Sequence, residues 1–360
     1  MNILKYILMI VLPVLGACSA EELCRIEPSP DSSMVQFSVS MAGEDGTAIG
    51  KSYFGDDDQI RICNPVGYST PDFKDESTTA YFYQYKEIVP TEDYPYKFMP
   101  AEGKSGFSWS VLSPTSIYYI FEAVHFPGGH YLSAVPDDQS TVRAFEEADM
   151  LIAHHRQLLS DRNKSVSLTF HHAFAMVQVK IKLPISDTPA DGPFPAGAVR
   201  NVYMHNMLRG YEVNYSTVID NDGLRTVRVS DEDDSSPANS EKRTDIPMWC
   251  ASASMDETPG KNGIRYQRYT YQAIVPEQSF LDEGKDFLYF EVRRHDGGDQ
   301  NVLYKFVPKE AKLSLKASHQ LNLSLSIDAV THEVVVLTAE LVPWNKAEAD
   351  MDILPEPTTE

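Results

Sequence analysis

The sequence predicts a mostly β protein made of two antiparallel β-sandwiches in tandem. Its 360 residues are enough for about two domains. The 19 Tyr and 16 Phe, together with recurrent Val and Thr, favour strands. Many short apolar segments alternate with turns, which is the pattern of sandwiches rather than of a helical bundle.

The first half is predicted to contain five separate strands and one helix. The segment Met34–Met41 alternates, which places Val35, Phe37 and Val39 on one face. Ser140 is predicted to cap a helix that continues to about Ala153. The other predicted strands are Gln59–Cys63, Ala80–Val89, Phe107–Leu112 and Ile117–Val124.

A long strand, Ser165–Leu183, is predicted to follow and to change its inward face halfway. The apolar positions have even numbers from Val166 to Met176 and odd numbers from Val177 onwards. Such a change needs a bulge or a move to another packing environment. The loop Pro184–Val199 comes next and is rich in Pro, so we place the boundary there, between a sandwich of residues 35–184 and one of residues 185–360.

The second half repeats the strand pattern. The turn Asp220-Asn221-Asp222-Gly223, between Tyr211–Ile219 and Leu224–Val229, predicts a hairpin. The other predicted strands are Ile264–Val275, Phe287–Arg293, Val302–Val307, Leu321–Ile327 and Val334–Val342, with Pro343-Trp344 and a polar tail behind them.

The charge balance excludes two classes of partner. There are 31 Lys and Arg against 52 Asp and Glu, a net charge of −21. Nucleic-acid binding needs a basic face, and so does attachment to anionic lipid through a protein surface. With 42% hydrophobic and 23% charged residues, the chain is neither disordered nor repeatedly membrane-spanning. We therefore expect a folded chain with no nucleic-acid partner.

Residues 1–17 predict a lipoprotein signal peptide. Lys5 precedes the apolar run Tyr6–Leu15, which is too short to cross a bilayer as a mature helix. The run ends in Leu15-Gly16-Ala17-Cys18, which resembles a bacterial lipobox and predicts lipidation of Cys18. The alternative is ordinary cleavage after Ala17 or Ala20.

Lipidation of Cys18 would anchor the chain in the outer membrane. Two or three acyl chains hold a protein stably where one does not. The acidic segment Ser19-Ala20-Glu21-Glu22 resembles the surface-export signal of Bacteroidota lipoproteins. We therefore expect a lipid-anchored protein at the cell surface, with residues 18–34 as its linker.

Three further cysteines, Cys24, Cys63 and Cys250, would lie in an oxidising compartment. A disulfide between Cys24 and Cys63 would close about 40 residues and stabilise the fold by roughly 4 kcal/mol. The alternative is that all three are buried thiols. Their spacings match no metal-binding pattern.

No arrangement of residues predicts catalysis. His154-His155 would diverge by about 100° on the predicted helix, and His171-His172 would point to opposite faces of a strand. The segment Asp220–Gly223 lacks the later ligands of a calcium loop and is predicted to be a hairpin turn. Nucleotide-binding and nucleophile-elbow motifs are absent from the sequence. We therefore expect no enzyme activity, no metal and no cofactor.

Several segments, in their order along the chain, resemble the fimbrillin family, the type V pilins of Bacteroidota. Ile117–Ala123 resembles the aromatic strand of that family, and Ala148–Ala153 resembles its A-D-L-L-x-A segment. Val166–Lys180 is similar to its V-x-L-x-F-x-H-x-L-A-x-V-x-V strand. The last two landmarks are Tyr271–Gln278, similar to A-I-V-P-Q-T, and Val342–Trp344, similar to I-x-x-W.

The resemblance implies two transthyretin-like sandwiches and a mechanism of assembly. In that family a trypsin-like protease cuts a lipoprotein precursor after its first strand, and a C-terminal strand of the next subunit fills the groove. The strand removed here would be Val35–Met41. The loop Ala42–Ser52 lacks the Arg that the best-known processing proteases require, which leaves Lys51 as the expected processing site. An uncleaved anchor or accessory subunit is the alternative.

The donor strand is expected within Val334–Ile353. Consecutive apolar residues there suit a strand that is buried on both faces. Its candidate contact residues are Val334, Val336, Leu341 and Trp344. The alternative is that the part before Pro343 closes the second sandwich of its own chain.

Two classes of function follow from these observations. The first is a structural or accessory subunit of a cell-surface fimbria (pilus), which supports adhesion and has other fimbrial subunits as partners. The second is a monomeric surface lipoprotein that binds a glycan or a host receptor protein. Exposed aromatic side chains on Ala80–Val89 would mark the second class. The ordered landmarks favour the first.

Overall fold

The computed structural model describes most of the chain between Ser33 and Trp344. The described ranges are 33–42, 48–49, 54, 58–64, 81–85, 98–129, 132–211, 243–260, 263–281, 286–295, 301–307 and 313–344. More than half of these residues lie in strands, and the prediction of a mostly β sandwich protein is confirmed. Among these residues, no helix is both long and apolar enough to cross a membrane.

The first half is one eight-stranded sheet that curls around its own core. Its order is β2-β1-β8-β7-β6-β3-β4-β5, and β1 and β8 run parallel whereas the other neighbours are antiparallel. Phe37 of β1 contacts Tyr83 of β4 at a ring distance of 5.0 Å. Five strand spacings would separate them by about 24 Å in a flat sheet, so the sheet must bend strongly. The strands are β1 (Phe37–Ala42), β2 (Ala48–Ile49), β3 (Gln59–Cys63), β4 (Tyr81–Tyr85), β5 (Phe98–Pro100), β6 (Tyr118–His125), β7 (Leu151–Leu158) and β8 (Val166–His172).

The second half is a sandwich of a five-stranded and a four-stranded sheet. The orders are β12-β13-β9-β18-β19 and β11-β10-β15-β16, and β14 pairs with β17 beside them. One large apolar core lies between the two sheets. The strands are β9 (Ala175–Ile185), β10 (Val199–Leu208), β11 (Arg243–Pro247), β12 (Trp249–Met255), β13 (Arg265–Val275), β14 (Gln278–Leu281), β15 (Leu288–Arg293), β16 (Asn301–Phe306), β17 (Leu313–Leu315), β18 (His319–Ile327) and β19 (Val334–Pro343).

The predicted long strand is two strands, β8 and β9, in different sheets. The chain leaves the first sheet at Ala173-Phe174, which is where the inward parity changes. β9 pairs antiparallel with β13 and parallel with β18, so residues 175–185 lie in the second sandwich. The boundary predicted at Pro184 assigns residues 175–184 to the first sandwich instead. The chain passes from the first sheet to the second about ten residues before the predicted boundary, because the change of inward face occurs where the chain crosses between the sheets.

Two local predictions for the first half are wrong. The helix α1 spans only Val142–Glu147, and its cap is Thr141, whose Oγ1 accepts a hydrogen bond from Ala144 N at 3.2 Å. The residues after it form β7, which pairs with β6 along its whole length. The predicted strand Phe107–Leu112 is irregular apart from an isolated bridge to Met34. The predicted hairpin around Asp220–Gly223 lies outside the described residues.

Candidate functional site

The first strand is seated in the core of the first half through alternate side chains. Phe37 is 1% exposed, and its ring lies 5.5 Å from that of Phe121 and 6.2 Å from that of Phe107. Met41 is fully buried, and Val39 packs against the same cluster. β1 therefore fills the core as a row of inward side chains spaced two residues apart.

Main-chain hydrogen bonds hold this segment on both sides. Val166 N donates to Gln36 O at 2.9 Å on the β8 side, and Val35 N donates to Phe107 O at 2.9 Å on the other. On the outer face, the Ser38 hydroxyl lies 3.1 Å from the hydroxyl of the neighbouring β8 serine. Removing the segment would open the core and leave β8 with an unpaired edge.

The last strand, β19, lies at the edge of the five-stranded sheet and pairs antiparallel with β18. Val334, Val336 and Leu341 lie opposite core-facing residues of β18. Val334 packs against that core, but Val336 and Leu341 are 45% and 41% exposed. Val335 and Leu337 are also exposed. β19 thus belongs to its own sandwich here, but it carries exposed apolar side chains on both faces.

Trp344 directly follows this strand and lies at the junction of the two halves. Its ring stacks on that of His172, with centroids 3.7 Å apart and an interplanar angle of 10°. His172 Nδ1 lies 2.7 Å from Asp149 Oδ1, and its main-chain oxygen accepts a hydrogen bond from Ser318 Oγ at 2.7 Å. Trp344 N in turn donates to Ser318 O at 3.0 Å. The end of β19 is therefore tied to the end of β8.

Gln139 also joins the halves. Its Nε2 donates to Ile274 O and its Oε1 accepts from Ile274 N, both at 2.8 Å. The side chain is fully buried, so it replaces a strand partner for this residue of β13. Nearby, Phe145 of α1 lies against Trp249 of β12, with ring centroids 5.0 Å apart. The junction is thus both apolar and hydrogen-bonded.

The adjacent histidines of each pair lie on strands, among packed neighbours. His154-His155 lies on β7 rather than on a helix, so the two side chains point to opposite faces. His154 Nδ1 lies 2.8 Å from Glu122 Oε1, and both side chains are buried. Burial lowers the pKa of His155, against a hydrogen bond that its Nε2 donates to Gln157 Oε1 and that raises the pKa. Burial also lowers the pKa of His171.

Two of the four cysteines, Cys63 and Cys250, are among the described residues. The lipidation site Cys18, the possible disulfide partner Cys24 and the processing site Lys51 lie outside them. Cys63 is buried at the end of β3, in the apolar cluster between the halves. Cys250 is an exposed free thiol on β12, so the alternative of three buried thiols is wrong for this residue. Within the described ranges, no group of three or more His, Cys, Asp or Glu is placed to hold a metal ion.

In the segment Ala80–Val89, Tyr83 is not one of the exposed aromatic side chains that a ligand-binding groove would need. This residue is 2% exposed, and its hydroxyl accepts a hydrogen bond from Phe107 N at 2.8 Å inside the core. Residues 86–89 lie outside the described ranges.

Comparison with known proteins finds similar structures but no matching sequence family. No protein-family model matches the chain, and no curated protein matches it. A putative cell adhesion protein from Bacteroides uniformis is 15% identical, over 88% of this chain and 100% of that one, with a TM-score of 0.49. A second one, from Bacteroides ovatus, is 12% identical over 86% and 96%, with a TM-score of 0.47. The fimbrial anchor protein Mfa2 from Porphyromonas gingivalis is 10% identical over 86% and 97%, with a TM-score of 0.36.

Proposed function

We propose that this chain is a structural or accessory subunit of a cell-surface fimbria, that it supports adhesion, and that it assembles by donor-strand addition. Its role is structural rather than catalytic. The observation that carries the proposal is the way in which β1 packs into the core of the first half. This six-residue strand, which lies next to the edge strand β2 of the curled sheet, fills the core through alternate side chains and is held by main-chain bonds.

A strand seated in this way can be replaced by another strand of similar pattern. Ladder hydrogen bonds are independent of side-chain identity, so they give affinity to any extended segment. Selectivity comes from the inward positions of Phe37, Val39 and Met41, which require three apolar side chains at a spacing of two. The hydroxyls of the outward neighbours, Ser38 and Ser40, pair with hydroxyl groups of β8. The groove left by β1 would therefore accept an apolar, alternating strand.

The proposed donor is the segment Val334–Ile353 of another copy. Val336 and Leu341 are more than 40% exposed in their own sandwich, so burying them in a neighbour gains apolar contact that the single chain lacks. The full pairing of β19 with β18 means that this strand must leave its sheet to donate, or that residues after Trp344 form the inserted part.

Anchoring and processing complete the proposal. Acylated Cys18 would hold the precursor in the outer membrane, and a cut after Lys51 would free the segment that contains β1. A subunit that keeps β1 would act instead as an anchor or an accessory subunit, because its groove stays filled.

Charge substitutions on β19 test the donor step. We expect the double variant Val336→Lys, Leu341→Lys to lose SDS-resistant ladders of surface protein that is cut near Lys51. Both positions are exposed in the single chain, so the lysines cost it little, but they cannot be buried in an apolar groove without a large penalty. The matched control is Val330→Lys, at a turn position that is 85% exposed, which should ladder normally. Undiminished ladders from the double variant would contradict donation by this strand.

A further inference from the structure

The outer face of the four-stranded sheet carries an ordered group of aromatic and polar side chains. This face belongs to the second sandwich, away from β1, and its strands turn their other side to the core. Cross-strand pairing places most of the side chains side by side on β10, β15 and β16, and one residue of β11 and one that precedes β15 join them. The group, here called the sheet-face cluster, consists of Asn201, Tyr203, His205, Asp245, Asp286, Tyr289, Glu291, Asn301 and Lys305.

Aromatic rings form one end of the sheet-face cluster. Tyr203 and Tyr289 are cross-strand partners whose ring centroids lie 5.3 Å apart at an interplanar angle of 75°. The ring of His205 lies 4.6 Å from that of Tyr289, and Lys305 Nζ lies 4.7 Å from the same centroid. Tyr203 and His205 are only half-buried, so a part of this aromatic surface faces solvent.

A carboxylate held by two amides forms the other end. Glu291 Oε2 accepts hydrogen bonds from Asn201 Nδ2 at 2.9 Å and from Asn301 Nδ2 at 2.8 Å. Glu291 Oε1 has no hydrogen bond to any residue that the structure describes. The amide oxygens of the two asparagines are likewise without a donor within those ranges. The three side chains therefore present fixed hydrogen-bonding atoms that their own contacts leave unused.

Two other carboxylates on this face have the same arrangement. Asp245 Oδ1 accepts from Asn206 N at 3.0 Å and contacts His205 Nδ1 at 2.7 Å. Asp286 Oδ2 accepts from Lys305 Nζ at 2.8 Å and from the Tyr289 hydroxyl. In each case the second carboxylate oxygen has no hydrogen bond within the described part of the chain.

Local backbone strain positions part of this face. Asn201 has φ +31° and Asn206 has φ +61°, at the two irregularities of β10 where its register with β15 and then with β11 shifts. Residues other than Gly are uncommon in this region, although Asn adopts it more readily than most, and bulges re-aim side chains. The bulge at Asn201 brings its amide to Glu291.

We propose that the sheet-face cluster binds a neutral carbohydrate. Tyrosine rings offer an apolar surface to the C–H face of a sugar, and fixed carboxylate and amide atoms match its adjacent hydroxyl groups. Tyr289 is only 9% exposed, so the accessible ring is that of Tyr203, which rests on it. Tyr203 lies opposite Tyr289 and therefore diagonal to Glu291, about 7–8 Å away, which suits a single sugar ring. The net charge of −21 and the three carboxylates of the cluster repel a phosphate or sulfate group, which disfavours an anionic sugar.

Saturation-transfer difference NMR on the purified full-length chain tests this binding. The probes are glucose, galactose, mannose, fucose and N-acetylglucosamine, each at about 10 mM, well above a Kd of about 1 mM. We expect transfer to at least one sugar, and binding weakened about tenfold or more in Glu291→Ala and in Tyr203→Ala. Asn301→Ala, at an exposed position, should weaken the same sugar without a change in Tm.

The matched control is Tyr266→Ala on the other sheet. Tyr266 also has a lysine over its ring, with Lys182 Nζ 4.2 Å from the centroid, but it is not part of the sheet-face cluster. Its substitution should leave sugar binding unchanged. Absence of transfer to all five sugars overturns the proposal. Binding that survives in both Glu291→Ala and Asn301→Ala also overturns it, because the sugar then binds elsewhere. Since the site lies on the second sandwich, neither result depends on fimbrial assembly.

Discussion

Phe37→Ala should destabilise the first half strongly, because this side chain is the main contact of β1 with the core. Replacing a fully buried Phe by Ala costs about 3–5 kcal/mol of unfolding free energy. The ring makes edge contacts with Tyr83 at 5.0 Å and Phe121 at 5.5 Å, and each such pair contributes about 0.5–1.5 kcal/mol beyond burial. These rings belong to other strands of the curled sheet and cannot close the cavity, so we expect a loss of about 4 kcal/mol.

Urea unfolding followed by tryptophan fluorescence measures this loss, because Trp109 is buried in the same cluster. The matched control is Ser38→Ala, one residue further on the outward face. Its hydroxyl makes a single contact at 3.1 Å, so we expect a loss of about 0.5–1 kcal/mol. If Phe37→Ala stays within about 1 kcal/mol of the wild type, β1 is not seated as described and its replacement by another strand has no physical basis.

Four further predictions concern the junction, the pH dependence and the anchor. Gln139→Ala leaves two buried main-chain groups of β13 without their partner, and urea unfolding should show a loss of about 3 kcal/mol. Trp344→Ala removes a half-buried stacked ring and should cost about 2 kcal/mol by calorimetry, less than a fully buried Trp. Burial lowers the pKa of His155 and His171 in the folded chain, so just below the usual histidine pKa of about 6.5 the unfolded chain binds more protons than the folded chain does. Tm should therefore fall as the pH drops through that value, and the fall should be smaller in the double variant His155→Gln, His171→Gln. Cys18→Ser should abolish fatty-acid labelling and release the protein or leave it unprocessed; normal outer-membrane levels would contradict the lipid anchor.

The strand content was predictable wherever alternation and burial coincide. Leu321, Leu323, Leu325 and Ile327 alternate with polar residues, and all four point into the second core. The parity change within Ser165–Leu183 was also informative, but it identified a crossing between sheets and not a bulge. Sequence alone could not decide this, since both produce the same pattern.

The segment after α1 shows why local periodicity failed. Val142, Phe145 and Ala148 recur at helical spacing, and Ile152 extends the pattern by chance into β7. What makes residues 151–158 a strand is their pairing with β6, a contact between segments about 30 residues apart in the sequence. Tertiary pairing of this kind overrides a short periodic signal.

Within the candidate sites, single polar residues were the least predictable. Gln139 has no motif around it, and its role depends on the free main-chain groups of Ile274, which only the packed junction reveals. The sheet-face cluster is equally hidden, because Asn201 reaches Glu291 through a bulge. By contrast, the apolar run that begins at Val334 could be recognised from the sequence as unusual for an edge strand.

The most direct test of strand replacement is the N-terminus of the assembled protein. SDS-resistant bands of surface protein can be separated from the monomer, and the first residue of each chain can be determined by Edman sequencing or mass spectrometry. We expect the assembled chains to begin at Ser52 and to lack residues 35–42, and the uncut chains to begin at lipidated Cys18. Assembled bands in which every chain retains residues 35–42 would contradict replacement of β1 by a donor strand.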